Sequence, residues 1–248
     1  MEVHAHTHTP RKKWTHYFWE FFMLFLAVTL GFFVENQREH YVEHQREKQF
    51  IQSMINDTRL DTARINRIIA IRLTRENRLD SMSWWLNNVA REKHSSAIYF
   101  SAVTAARTLT FRFVPNDGTM QQLKNSGAFR LIRNSTVVDS IAKYDVGVRN
   151  FVRQGELEET LVDSYRSAAS KIFDALQFDK MLDNDNNVTG NLPDNPPLLN
   201  FNEDDLHNFN YRLYSMKALN KANRRDAKLL LIQAENLLGL LEKEYHLK

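Results

Sequence analysis

The constraint that dominates this chain is the run HYFWEFFMLFLAVTLGFFVEN, His16 to Asn36. As a helix, the 21 residues from Trp14 to Val34 cover about 30 Å, the thickness of a bilayer's hydrocarbon core. A secretory signal would have a shorter apolar run, followed by small residues for the peptidase; this one ends in Gly31-Phe32-Phe33-Val34-Glu35, where the side chains are bulky. A core helix would keep its apolar residues on one stripe, whereas Phe18, Phe21, Phe22, Phe25, Phe32 and Phe33, with Leu24, Leu26 and Leu30, point around the helix. The reading is an uncleaved anchor with the lipid bilayer as its first partner, tethered by Arg11, Lys12 and Lys13 and by the interfacial aromatics Trp14 and Trp19. Ala27 and Gly31 form one small-xxx-small step at which a second helix can approach. Glu20, one turn into the span, is read as an interfacial glutamate beside that packing face rather than as an ion relay.

Lysine and arginine counts flanking the span are equal, so orientation rests on position. The three N-terminal cations abut the apolar run and hold the tail in the cytoplasm, which puts the remainder in the periplasm of a two-membrane bacterium, anchored in the inner (cytoplasmic) membrane. The absence of cysteine fits an oxidising compartment without requiring one.

Two stretches carry a family resemblance. The run RKKWTHYFWEFFMLFLAVTLGFFVENQREH with the following EHQREKQFIQSMINDT, and TMQQLKNSGAFRLIRN at Thr119 to Asn134, resemble a family of uncharacterised single-pass membrane proteins of Bacteroidota. The match is good over residues 11–60 and 119–134 and loose elsewhere; it implies an envelope protein and supplies no activity.

Beyond the anchor the pattern is helical. Between Arg11 and Val114 there is no proline and one glycine, Gly31. Ile51, Met54, Ile55, Thr58, Thr62, Ile65, Ile69, Leu73, Leu79, Met82, Leu86 and Val89 recur mostly three or four apart, predicting a long amphipathic stalk. Ser95 or Ser96 is expected to cap a helix reaching Leu109, and Leu109 to Asp117 alternates like a short strand. A short helix follows from Thr119 to Ser126 and stops at Gly127. Ser135 is expected to cap a run to about Val152, Glu156 to Phe178 makes another, and Glu203 to Tyr245 is the last, with a break near Tyr214. Its apolar side is marked by Leu219, Leu229, Leu230, Ile232, Leu237, Leu240 and Leu241. The expected class is all-α: tail 1–13, transmembrane helix 14–34, stalk 35–94 and a helical bundle 95–248 with a loop at 179–202.

Candidate chemistry is sparse. His4, His6 and His8, two apart, could chelate a transition metal, though no second ligand cluster closes the site. His40 and His44 share a helix face, but Glu43 and Glu47 stand ready as salt partners. Asp183, Asp185 and Asn187 alternate like the start of a calcium loop, yet Val188 occupies the turn-glycine position and Asp194 the place of the closing glutamate. No nucleophile elbow, phosphate loop, metalloprotease helix or dinucleotide fingerprint is present, so neither an enzyme nor a cofactor is expected. With 33 basic and 30 acidic residues and no basic-aromatic block, nucleic acid is not an expected partner. The leading expectation is a structural or interaction protein of the cell envelope, an oligomer or an accessory subunit of a larger membrane complex, meeting itself or another envelope membrane protein. The alternative is a periplasmic ligand-sensing module signalling through a partner, with Trp84, Trp85 and Tyr99 as aromatic walls.

Overall fold

The computed structural model describes residues 13–107, 112–190, 192 and 194–247. His4, His6, His8, Arg11 and Lys12 lie outside the described residues, as do residues 108–111 of the expected strand. The chain is all-α: α1 (Trp14–Asn88), α2 (Arg91–Ala106), α3 (Gly118–Asn125), a 3₁₀ turn (Ala128–Leu131), α4 (Ser135–Ala169), α5 (Ala175–Asp179) and α6 (Glu203–Tyr245). It divides into two compact units between Gln49 and Phe50, inside α1 and inside the segment read as stalk.

In the first unit, every residue from Trp14 to Val34 is exposed. Among the described residues, α1 is the one helix long and apolar enough to cross a membrane, and none of its most apolar window is buried. Rings stack along it one turn apart, Trp14 on Phe18 and Phe18 on Phe22, at centroid distances of 6.2 and 6.3 Å. Beyond Val34, Glu35 binds Arg38, and His40 and His44 each meet an acid one turn on, His40 with Glu43 at 3.9 Å and His44 with Glu47 at 3.2 Å.

The second unit is a bundle built from residues 50–88 of α1 with α2, α4 and α6, and α4 and α6 pack together most extensively. It has two separate apolar cores. One joins Ile51, Ile55, Ile65 and Ile68 of α1 to Val137, Ile141 and Val148 of α4 and to Leu230, Leu237 and Leu241 of α6. The other gathers Leu79, Met82 and Leu86 around Ile98 and Tyr99, Val162 and Tyr165, and Phe209, Leu213 and Met216.

Local signals explain several helix ends. The Asn202 side chain accepts from Asp205 N at 2.8 Å, and Glu203, Asp204 and Asp205 complement the dipole of the α6 N-terminus. Gly127 takes the left-handed conformation, φ 66°, after α3. The start of α3 is capped from another helix: Asp57 of α1 accepts from Thr119 N at 3.2 Å.

Several expectations are corrected. Arg112 to Asp117 is irregular rather than a strand: Phe113 enters the first core, and Asn116 is held by Asp61. The cap of α4 is Asn134 rather than Ser135, because the asparagine oxygen receives Thr136 N at 3.0 Å. The break expected near Val152 to Glu156 is absent; α4 runs 35 residues through Gly155. Likewise α6 is unbroken at Tyr214. Neither Ser95 nor Ser96 caps α2, which begins at Arg91 and kinks at His94 (φ −128°, ψ 18°); Ser96 instead donates to Leu192 O at 2.7 Å. Leu73, Leu229 and Ile232, expected on apolar stripes, are exposed.

Candidate functional site

The most unusual chemistry of the bundle lies between its two cores. Arg72, Arg75 and Glu76 of α1, Glu158 of α4, and Asn220 and Asn223 of α6 are all buried there. Arg72 grips Glu158 with both terminal nitrogens, at 3.1 and 2.8 Å, and the first of these also donates to Asn220 Oδ1 at 3.2 Å. Arg75 donates to the same carboxylate, and Asn223 Nδ2 adds a further donor at 3.1 Å. Asn220 Nδ2 donates back to Arg72 O at 2.8 Å. At the layer's rim Arg224 holds Glu76 bidentately, at 2.7 and 2.9 Å.

Charge in this layer is unequal: three guanidiniums face two carboxylates. Burial pushes Glu158 upward, but hydrogen bonds from Arg72 and the charges of Arg72 and Arg75 outweigh it and hold the group below the usual carboxylate range. Burial lowers Arg75, and neighbouring Arg72 lowers it further, against the pull of Glu158. Arg75 is fully buried, yet its Nε and Nη2 have no protein acceptor, and neither has Arg72 Nε. Such orphaned donors cost about 1–3 kcal/mol each, so the layer lowers stability relative to an apolar filling. Glu158, ionised and saturated with donors, is built to hold helices rather than to exchange a proton.

A second buried carboxylate works as a latch. Asp61 Oδ1 accepts from Asn116 N and Nδ2 at 2.8 and 2.9 Å, while Tyr144 Oη donates to Oδ2 at 3.0 Å. Burial raises Asp61, and those hydrogen bonds partly oppose it. Burial and the adjacent carboxylate raise the Tyr144 phenol as well, so it remains a donor.

An apolar cleft of about 340 Å³ opens between α2, α4 and α5. Ala102, Ala106 and Ala169 leave room there, and Tyr165, Phe173 and Phe178 wall it; Arg166, Ser170 and Asp174 stand among its lining.

The residues singled out from the sequence fall elsewhere. Trp84 is exposed and touches Trp85 edge to face at 5.0 Å, while Tyr99 is fully buried against Phe173 and Phe178. Asp183 closes its own turn: Oδ1 accepts from Asp185 N and Asn187 N at 3.0 and 2.7 Å, and Oδ2 from Asn187 Nδ2 at 3.3 Å. The Asn187 backbone bond is the main cause holding Asp183 below its ordinary range. Among the described residues no group of three or more histidines or acids is placed to hold a metal. Ala27, Gly31 and Glu20 are exposed on α1, and a Cβ on Gly31 would meet nothing within 4 Å. Lys13, Trp14 and Trp19 are exposed at its start.

The sequence reading missed Arg72, Arg75, Glu158, Asn220 and Asn223. One signal was available: Met216, Asn220, Asn223 and Ala227 continue the core rhythm of α6, so the asparagines occupy core positions. No family model, curated protein or solved structure matches the chain.

Proposed function

We propose that this chain is a single-pass interaction protein of a bacterial cell envelope: α1 anchors it in the inner membrane, the N-terminal tail faces the cytoplasm, and the helical bundle meets its partners in the periplasm. The observation that carries this reading is α1 itself. One helix holds an exposed apolar run, Trp14 to Val34, and then core positions of the bundle from Ile51 onward. An exposed run of that length in water is unfavourable at about 25 cal/mol per Å² of apolar area, and a bilayer removes the penalty. The resemblance to single-pass envelope proteins supports the compartment, and the cations beside the span support the orientation. The Ala27 and Gly31 step on the exposed span supports assembly with a second copy or another membrane protein.

The test is purification from native membranes in nanodiscs, with mass spectrometry of co-purifying proteins and a particle mass. A defined oligomer or a stoichiometric partner supports the reading; a lone monomer opposes it. Orientation is read separately. Because the chain has no cysteine, Ser126→Cys on an exposed turn gives a single label site. A membrane-impermeant maleimide should reach it in cells with a permeabilised outer membrane. Labelling only after rupture of the inner membrane would reverse the assignment.

A further inference from the structure

We propose that the cleft between α2, α4 and α5 binds a small monocarboxylate with an apolar body. The inference stands apart from the anchoring reading, since it rests only on the bundle.

Shape comes first. The cleft's volume of about 340 Å³ lies at the small end of the range for ligand pockets, too small for a two-chain lipid. It exists because α2 and α4 place alanines where larger residues would close it: Ala102 and Ala106 one turn apart on α2, Ala169 on α4. Phe173 and Phe178, with centroids 5.7 Å apart and rings tilted by 35°, offer flat apolar surface to a ring or short chain.

The charge of the ligand follows from which lining groups are already committed. Both oxygens of Asp174 are occupied, one by Leu176 N at 3.0 Å and the other by Gln177 Nε2 at 3.1 Å. The Ser170 hydroxyl donates to Ser167 O at 2.9 Å, and Tyr165 Oη donates to Met82 Sδ at 3.1 Å. Arg166 differs. It reaches one acceptor, Asp163, at 3.5 Å, with both side chains more than half exposed. A pair of that kind is worth about 0–1 kcal/mol, so the guanidinium can turn to a ligand at little cost. Neutral donors leave Asp174 its charge, so the lining holds one anion and one cation, and of the two only the cation has hydrogen-bonding capacity to spare; the planar fork of arginine matches a carboxylate.

The test uses the full chain in nanodiscs, with empty nanodiscs as the blank, titrated calorimetrically with naphthoate and with its neutral isostere naphthamide. The expected result is saturable one-site binding of naphthoate, at least tenfold tighter than naphthamide. Arg166→Gln, at an exposed position that should fold normally, is expected to weaken naphthoate tenfold and leave naphthamide unchanged. Ala169→Phe is expected to remove both, and an unchanged melting curve for this variant shows that the bundle is intact. Equal affinity for the two compounds, or naphthoate binding that survives Ala169→Phe, overturns the proposal; so does the absence of binding to the wild-type chain.

Discussion

At Glu158 one carboxylate serves two buried arginines, and substitutions on its two sides should therefore differ in cost. Glu158→Gln leaves Arg72 and Arg75 buried without their counter-charge and is expected to lose about 3–5 kcal/mol in urea denaturation followed by tryptophan fluorescence. Arg75→Met removes two orphaned nitrogens while Arg72 still grips the carboxylate, so it is expected to be neutral or stabilising in the same assay. Acid should reveal the charge. Because the folded state holds Glu158 below its ordinary value of 4.5, its contribution is complete above that pH and is lost as pH falls through the lower folded value. The stability gap between wild type and Glu158→Gln should accordingly shrink below about pH 4.5. Asp61 works in the opposite sense. Its raised folded value makes its contribution complete below 3.8 and lost as pH rises through that folded value, so Asp61→Asn should flatten that part of the profile.

Within α4, two glycines separate packing from propensity. Gly155 has nothing within 4 Å of a would-be Cβ, and Gly155→Ala is expected to stabilise the chain by about 0.5–1 kcal/mol. At Gly147 the added carbon would collide with Gln233 Oε1 and fall 3.1 Å from Leu230 Cδ1, so these two α6 side chains must shift and Gly147→Ala should gain less. Comparing the two melting temperatures checks this. The same distinction explains how much of the fold was legible in the sequence. Elements ended by a local signal were readable: Gly127 closes the α3 region, and α6 begins and ends where it was expected. Elements decided by a distant partner were not. The interval between Val152 and Glu156 was read as a break, yet α4 continues through it. Leu73 looked like core, whereas the positions turned inward belong to Arg72 and Arg75. Charged residues read as a solvated face until the partner is known, and Glu158 stands 86 residues from Arg72. The cleft was invisible for a related reason: alanines at Ala102, Ala106 and Ala169 are ordinary helix formers, and only tertiary packing makes them a space.

For the molecule as a whole, the proposed anchoring is tested at the exposed run of α1. Phe25→Lys places a charge near the middle of that run at a cost of about 2.5–3.5 kcal/mol, and the fraction resisting carbonate extraction is expected to fall. An unchanged fraction would argue against the span. A different consequence follows from the layer that divides the bundle's cores. Apolar contacts alone discriminate less sharply between helix alignments than hydrogen-bonded ones, since a slip of one turn, about 5.4 Å, exchanges one apolar surface for another. Glu158 discriminates more sharply, because its bonds to Arg72 and Arg75 of α1 and to Asn223 of α6 are made together in one register of the three helices. The stability given up at this layer thus becomes proofreading: it marks the one alignment in which the helices are allowed to settle.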